Sequence, residues 1–170
     1  MRKHILFLLF AIITGGCSVT PPVEPHLLPF IDSMMNHKPD SAYHALLSIP
    51  DKAIHTRRDR AYYALLLTQA RHKNYIPLRN DSLISIAVNY YRGSREYDKY
   101  ARALLYKGIC VEEMDDPQKT IEVYAEAEKI ALQTNDYLTT GLINSQMAWL
   151  YRDMYIENQV DIERFKRAME

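Results

Sequence analysis

The sequence predicts an all-α protein of about three to four antiparallel helix pairs. Through most of the chain, apolar residues recur at the i, i+3, i+4 and i+7 spacing of amphipathic helices. No segment shows the two-residue alternation of a strand. Only 5 of the 170 residues are glycine, which is typical of helices joined by short polar turns. Similar helices also return at intervals of about 40 residues, which indicates stacked repeats.

The charge balance excludes one broad class of partner. Lys and Arg together number 21, as do Asp and Glu, so the formal net charge is zero. General nucleic-acid binders need a basic surface that displaces counterions from the phosphates. We therefore expect no nucleic-acid partner.

The N-terminus predicts an export signal over residues 1–16. A basic start precedes an unbroken apolar run at residues 5–13, and two glycines then lead to Cys17. The run is shorter than the roughly 20 residues that cross a bilayer as a helix, but it has the length of a signal-peptide core. A cysteine directly after two glycines resembles the signal of bacterial lipoproteins, which implies cleavage before Cys17 and lipid on that residue. The alternative is an ordinary secretory signal, or an uncleaved anchor, with an incidental cysteine.

The lipoprotein resemblance has consequences for the rest of the chain. Lipid on Cys17 would anchor the protein in the cell envelope, facing the periplasm. Residues 17–29 contain four prolines and predict an extended tether to a helical domain at residues 30–170. Cys110 would have no disulfide partner in the chain, so we expect it to be a small buried side chain; a reactive thiol is the alternative.

The helices are predicted in chain order from apolar spacing and from the residues that begin and end them. A short helix over residues 27–36 precedes one that begins at Pro39 and ends before Pro50. Asp116 is predicted to cap a later helix, with Pro117 in its first position. The remaining helices are predicted at residues 57–73, 82–91, 97–114, 117–134, 137–153 and 160–168.

The second helix of each pair carries a large apolar residue and then an alanine. Leu83, Tyr124 and Phe165 are 41 residues apart, and an alanine follows each of them three or four positions later. The alanine would let the neighbouring helix approach while the large residue fills the gap above it. On the first helices, Gly108 and Ala148 are 40 residues apart.

Five residues of the central pair resemble the tetratricopeptide repeat: Leu104, Gly108, Val111, Tyr124 and Ala127. The resemblance implies an α-α superhelix in which the first helix of each pair lines a concave face. The interval of about 40 residues is longer than the roughly 34 of a standard repeat, which implies longer helices or turns.

The chain is also similar to the N-terminal part of tetratricopeptide-repeat lipoproteins of Bacteroidetes bacteria. The similar stretches are Pro39-Asp40-Ser41-Ala42 with Leu46-Leu47, Ala64-Leu65-Leu66-Leu67-Thr68-Gln69-Ala70 and Asn80-Asp81-Ser82-Leu83-Ile84. Longer members continue into a membrane helix and a cytoplasmic signalling or DNA-binding part. This resemblance implies a sensory or binding role for the repeats.

The tetratricopeptide resemblance also assigns a partner-binding groove to twelve positions on three first helices. They are Ala64, Thr68, Arg71, His72, Arg102, Leu105, Ile109, Glu112, Ser145, Trp149, Arg152 and Asp153. This mixture of apolar and charged residues implies a peptide or helix that carries a few charges. Trp149, the only tryptophan, is the single residue we favour most for a binding contact, with core packing as its alternative.

No residues have the spacing of a catalytic or cofactor motif. The sequence lacks HExxH, a glycine-rich phosphate loop, GxSxG and CxxC, and its six histidines are scattered. The acidic residues at 112–116 and the arginines at 57–60 predict solvated helix ends, with a cation and an acidic ligand or lipid headgroup as alternatives. We therefore expect no enzymatic activity, no cofactor and no metal.

Together these features favour a membrane-anchored helical-repeat scaffold that binds a protein or peptide, as the sensory part of a signalling system. The alternative is a carbohydrate- or nutrient-binding accessory lipoprotein, whose tyrosines and Trp149 would stack on sugar rings. A homodimer through the C-terminal pair is a further expectation, because that pair has no polar capping helix after it.

Overall fold

Seven α-helices account for nearly all the regular structure in the described part of the chain. The computed structural model describes residues 21–169, and the side chains of all of these except residues 157 and 160–169. The predicted export signal and Cys17 lie outside this range. The helices are α1 (Leu27–Met34), α2 (Pro39–Leu47), α3 (Arg57–Lys73), α4 (Ser82–Tyr91), α5 (Tyr97–Glu112), α6 (Pro117–Ala131) and α7 (Tyr137–Met169), with a 3₁₀ turn at Asp51–Ala53. Residues 21–169 contain no strand, so the all-α prediction is confirmed.

Side-chain caps fix the start of three helices. The Thr56 hydroxyl accepts a hydrogen bond from the backbone N–H of Asp59 at 3.0 Å and donates one to the Asp59 carboxylate at 2.7 Å. Asp116 caps α6 as predicted, accepting from the N–H of Lys119 at 3.0 Å, with Pro117 in the first turn. Asp136 likewise accepts from the N–H of Thr139 ahead of α7. Each cap satisfies a backbone donor that the helix itself leaves unpaired.

The helices pack in two layers. Each helix contacts the next one along the chain, and α1, α3, α5 and α7 also contact one another in succession. Among the described residues, α2, α4 and α6 make no such contact with each other. The odd-numbered helices therefore form one continuous layer, and the even-numbered helices lie behind it.

Two apolar clusters lie on either side of α3. Leu66 and Ala70 of α3 belong to a buried cluster with α1 and α2, whereas Ala61, Ala64 and Leu65 belong to the cluster that extends to α7. Because α3 buries two opposite faces, it joins the N-terminal pair to the rest of the stack.

The separate last helix predicted at residues 160–168 is wrong. A single helix, α7, runs from Tyr137 to Met169, so the described residues contain three helix pairs and one long unpaired helix. Residues 154–159 contain no glycine or proline, and nothing in their sequence forces the backbone out of the helical conformation. Phe165 consequently lies on the same helix as Ala148, and not on a second helix that returns along it.

Gly108 explains how closely α5 and α6 approach. A Cβ atom at this position would clash with the ring of Tyr124, which is fully buried. The Tyr124 hydroxyl then reaches past the glycine and donates a hydrogen bond to the Glu112 carboxylate at 2.7 Å. Burial raises the pKa of Tyr124, and the neighbouring carboxylate raises it further.

Gly108→Ala should therefore destabilise the protein. We expect a loss of about 2 kcal/mol in the free energy of unfolding, because the clash with the buried Tyr124 ring puts overpacking near the upper end of its range of about 1–3 kcal/mol, and alanine recovers roughly 1 kcal/mol of helix propensity. Urea denaturation measures the change. Gly93→Ala is the matched control, since a Cβ there meets nothing within 4 Å. Equal stability of the two variants would contradict the close-approach role of Gly108.

Candidate functional site

A pocket of about 560 Å³ opens on the layer of odd-numbered helices. It lies between the C-terminal end of α3, the middle of α5 and the first half of α7, with Pro39 at one edge. Its lining residues are Pro39, His72, Lys73, Tyr75, Ile76, Pro77, Leu105, Tyr106, Ile109, Glu113, Leu142 and Gln146. We call this the α3–α5–α7 pocket.

The floor of the α3–α5–α7 pocket is apolar and well packed. Leu105, Tyr106 and Ile109 of α5 are buried and belong to the main core cluster. The ring of His72 meets the ring of Tyr106 edge-on, with 5.8 Å between centroids. Leu142 of α7 forms the opposite wall and is 40% exposed. The pocket thus offers a preformed apolar surface to a side chain of a ligand.

Tyr75 stands at the rim in a strained conformation. Its φ angle is 57°, in the left-handed region, and its side chain is 96% exposed. This conformation costs a residue with a Cβ atom about 1–2 kcal/mol. This conformation ends α3 in a Schellman motif, in which the N–H of Tyr75 donates to the His72 carbonyl at 3.0 Å and the N–H of Ile76 donates to the Arg71 carbonyl at 2.9 Å.

The charged groups around the pocket leave one cation available. The Glu113 carboxylate accepts a hydrogen bond from the backbone N–H of Leu78 at 2.6 Å, so it is engaged by the α3–α4 loop. Lys73 makes no ion pair with any described residue. Burial lowers the pKa of His72, which favours the neutral ring at pH 7. A ligand with one acidic group would find its counter-charge at Lys73.

Three of the twelve predicted groove residues line the α3–α5–α7 pocket: His72, Leu105 and Ile109. Ala64 and Thr68 lie nearer the N-terminus of α3 and are buried. The Thr68 hydroxyl donates a hydrogen bond to the Ala64 carbonyl at 2.8 Å. Arg71 is partly exposed on the same helix but does not line the pocket. The structure therefore brings together one predicted residue of α3 and two of α5, and leaves Ala64 and Thr68 in the core.

Arg102 is engaged inside the protein. Its guanidinium donates two hydrogen bonds to the Asp32 carboxylate, at 2.9 and 2.8 Å, across 70 residues of sequence. The Tyr62 hydroxyl donates a third to the same carboxylate at 2.6 Å. Burial and the hydrogen bond to Asp32 both raise the pKa of Tyr62. This triad joins α1, α3 and α5, so Arg102 links three of the four odd-numbered helices.

The predicted α7 residues lie apart from the pocket. Ser145, Trp149, Arg152 and Asp153 are exposed, and none of them lines it. The guanidinium of Arg152 stacks 3.9 Å from the centroid of the Trp149 ring and also donates to Asp153 at 2.6 Å. Glu112, from α5, is turned toward α6 by its hydrogen bond from Tyr124.

Sequence reasoning missed the rim of the pocket. Tyr75, Ile76 and Pro77 belong to the α3–α4 loop, which has no helical period to assign a face. One signal was available: no glycine follows α3, and the chain continues instead with Asn74-Tyr75. A helix that ends without glycine needs another residue in the left-handed conformation.

Other chemistry predicted for the chain can be placed as well. Cys110 is buried, and burial raises the pKa of its thiol to about 12, so it is a packing residue and not a nucleophile. Among the side chains that the structure describes, no group of three or more His, Cys, Asp or Glu could hold a metal ion. No helix in that range is both long and apolar enough to cross a membrane.

Comparison with known proteins does not assign a family. The chain matches no protein-family model, no curated protein and no solved structure. Its function must therefore be argued from the geometry of its own residues.

The Asp32–Arg102 pair can be tested by a double-mutant cycle with Asp32→Ala and Arg102→Met. Breaking a fully buried pair costs about 3–5 kcal/mol, and here about one fifth of each side chain remains exposed. We expect each single variant to lose about 2 kcal/mol of unfolding free energy in urea, because each leaves one charge without its partner. The double variant should lose clearly less than the sum of the two. Strict additivity would show that the pair is not coupled.

Proposed function

We propose that this protein is a membrane-anchored helical-repeat scaffold that binds a peptide segment of another protein in the α3–α5–α7 pocket, without catalysing a reaction. The observation that carries this proposal is the exposed Tyr75 at the rim of an apolar pocket. Tyrosine is enriched among the residues that dominate protein–protein binding energies. Its ring can close over a ligand side chain that rests on Leu105 and Ile109.

The chemistry of the pocket defines the ligand class. The apolar floor suits an aliphatic or aromatic side chain, and Lys73 supplies a positive charge beside it. Lys73 also ends α3, where the partial negative charge of the helix C-terminus stabilises it. We infer a peptide segment in which an apolar residue stands next to Asp, Glu or a terminal carboxylate.

The layered packing supports a tetratricopeptide-like superhelix. The odd-numbered helices contact each other in succession and the even-numbered ones do not, as expected of helix pairs stacked along a curved array. Such arrays bind extended ligands on the layer where the first helices meet, and that layer carries the pocket.

The proposed location rests on the sequence before the helices. The basic start, the apolar run and Cys17 favour export and lipid attachment, with the domain facing the periplasm. Val23 of the predicted tether donates a backbone hydrogen bond to the Ala53 carbonyl at 2.9 Å. The part of the tether that remains to reach a membrane is therefore short.

Carbohydrate binding is the second candidate, and one observation favours it. Tyr137, Trp149, Tyr151 and Tyr155 are exposed on α7, and exposed rings can stack on sugars. The α3–α5–α7 pocket itself favours a peptide, because its aromatic floor residue Tyr106 is buried and only Tyr75 presents an open ring.

Photo-crosslinking tests the peptide proposal. We would place a photoreactive residue at Gln146, on the α7 wall of the pocket, and irradiate the protein in its own membrane. The expected product is a covalent adduct with a protein whose linked segment has an apolar residue beside an acidic one. A photoreactive residue at Asn89, exposed on α4, is the control and should give no such adduct. Recovery of no protein, or equal adducts from both positions, would overturn the proposal, and a bound sugar would favour the second candidate.

The same assay separates binding from folding at Tyr75. Tyr75→Gly should reduce the Gln146 adduct at least tenfold while leaving the unfolding free energy equal or higher, because glycine relieves the left-handed strain. Asp115→Gly relieves the same strain at φ 61° but lies outside the pocket, so its adduct should be unchanged.

Replacing the predicted lipid site tests the proposed location. Cys17→Ser should move the protein from the membrane fraction to the soluble fraction, because the acyl chains contribute about 0.8 kcal/mol per buried methylene. Fractionation followed by immunoblotting measures this. Cys110→Ser should leave the protein in the membrane fraction, and continued membrane association of Cys17→Ser would contradict lipid anchoring.

A further inference from the structure

We propose that α7 pairs antiparallel with α7 of a second copy of this chain, through the face of α7 that the rest of the molecule leaves open. This interface is separate from the α3–α5–α7 pocket and does not rest on the peptide-binding proposal. We call the surface the open α7 face. Its residues are Tyr137, Leu138, Gly141, Asn144, Ser145, Ala148, Tyr151, Arg152 and Tyr155.

The open α7 face corresponds to a surface that is covered on the preceding odd-numbered helix. On α5, Leu104, Gly108 and Val111 are buried, and α6 packs against this helix with Tyr124 over Gly108. The positions 40 residues later are Asn144, Ala148 and Tyr151, and all three are exposed. Because α7 continues as one helix to Met169, no described helix returns to cover them.

The surface is rich in tyrosine and nearly free of charge. Tyr137 is 82% exposed, Tyr155 65% and Tyr151 50%, and all lie at the alternating four- and three-residue spacing of a helix-pairing seam. Arg152 at the edge is the one charged residue of the face, and Asp153 neutralises it at 2.6 Å. Two copies therefore meet without like-charge repulsion, and each removes exposed aromatic surface from water.

Its large and small residues complement each other under twofold symmetry. With the axis between Asn144 and Ala148, Tyr151 of one copy faces Gly141 of the other, and Asn144 faces Ala148. Gly141 is open in the single copy, since a Cβ there meets nothing within 4 Å. The Tyr151 ring would fill that hollow as Tyr124 fills the one above Gly108. Tyr137 would face Tyr155, which pairs the two most exposed rings of the face.

The contact reaches the lower end of the size range of specific interfaces. Residues 137–155 span about 27 Å of helix, and a buried tyrosine removes about 150–250 Å² from water. Six tyrosines that start half or more exposed, with Leu138 and the small residues between them, give about 1,000–1,200 Å². This is close to the lower end of specific interfaces, at about 1,200 Å². The closed isologous pairing also leaves no second surface free to propagate.

Cysteine crosslinking tests the direction and register of the pair. The full chain carrying Cys17→Ser is the background, because Cys110 is buried and unreactive. Asn144→Cys alone and Ala148→Cys alone should form no disulfide dimer on oxidation, whereas an equimolar mixture should form one between the two variants. Parallel pairing would instead crosslink each variant to itself. Self-crosslinking by either variant, or no product in the mixture, overturns the proposed interface.

Sedimentation equilibrium tests the dimer without cysteines. The Cys17→Ser chain should sediment as a dimer in mild detergent, and Gly141→Leu should raise its dissociation constant at least tenfold by filling the hollow that receives Tyr151. Gly141 is exposed and open, so this variant keeps the fold of the single copy. Ala125→Leu adds a similar side chain at an exposed site on α6 and should leave the dimer intact. A monomeric parent chain, or equal effects of the two leucines, overturns the proposal.

Discussion

The bidentate ion pair between Asp32 and Arg102 is the contact on which the layer of odd-numbered helices depends. It joins α1 to α5 while Tyr62 of α3 donates to the same carboxylate. Removing these charges from water is costly, and the cost is offset only when both guanidinium donors and a third hydrogen bond reach the carboxylate together. Small shifts among α1, α3 and α5 would break that geometry. The triad therefore constrains how α1, α3 and α5 lie against one another, and residues of α3 and α5 line the pocket.

Helix positions could be predicted well because their signals are local. Prolines and capping residues mark helix starts, and Asp116 with Pro117 begins α6 as the sequence indicates. The prediction failed at residues 154–159, where the repeat pattern placed a turn but no residue there breaks a helix. The helix α7 continues through these residues to Met169. The 41-residue recurrence had instead predicted that Phe165 lies on a separate helix that returns along α7. A recurring residue is weaker evidence for a turn than a local stop signal, because a helix can continue through that position without a loss of free energy.

The candidate site was less predictable because its residues are brought together over long distances. The tetratricopeptide resemblance assigned Leu105 and Ile109 to the groove, and they line the pocket. It assigned Arg102 to the groove too, although Asp32, 70 residues earlier, holds that side chain within the protein. Assigning a residue to one face of a helix gives the direction of its side chain. It does not identify the group that the side chain contacts. Tyr75 could not be assigned at all, because its exposure and its positive φ belong to a loop.

The length and continuity of α7 connect the two proposed surfaces. Thr139, Ile143 and Leu150 bury one side of the helix, and Leu142 with Gln146 faces the α3–α5–α7 pocket on a second side. Gly141 lies on the third side, which is open. A returning helix after residue 153 would have covered that third side within one chain, as α6 covers α5. Because α7 continues as one helix to Met169, the described residues leave this face uncovered, and the proposed pairing with a second copy would cover it without changing the pocket wall. The peptide site and the dimer contact can therefore be altered separately, through residues one or two positions apart on the same helix.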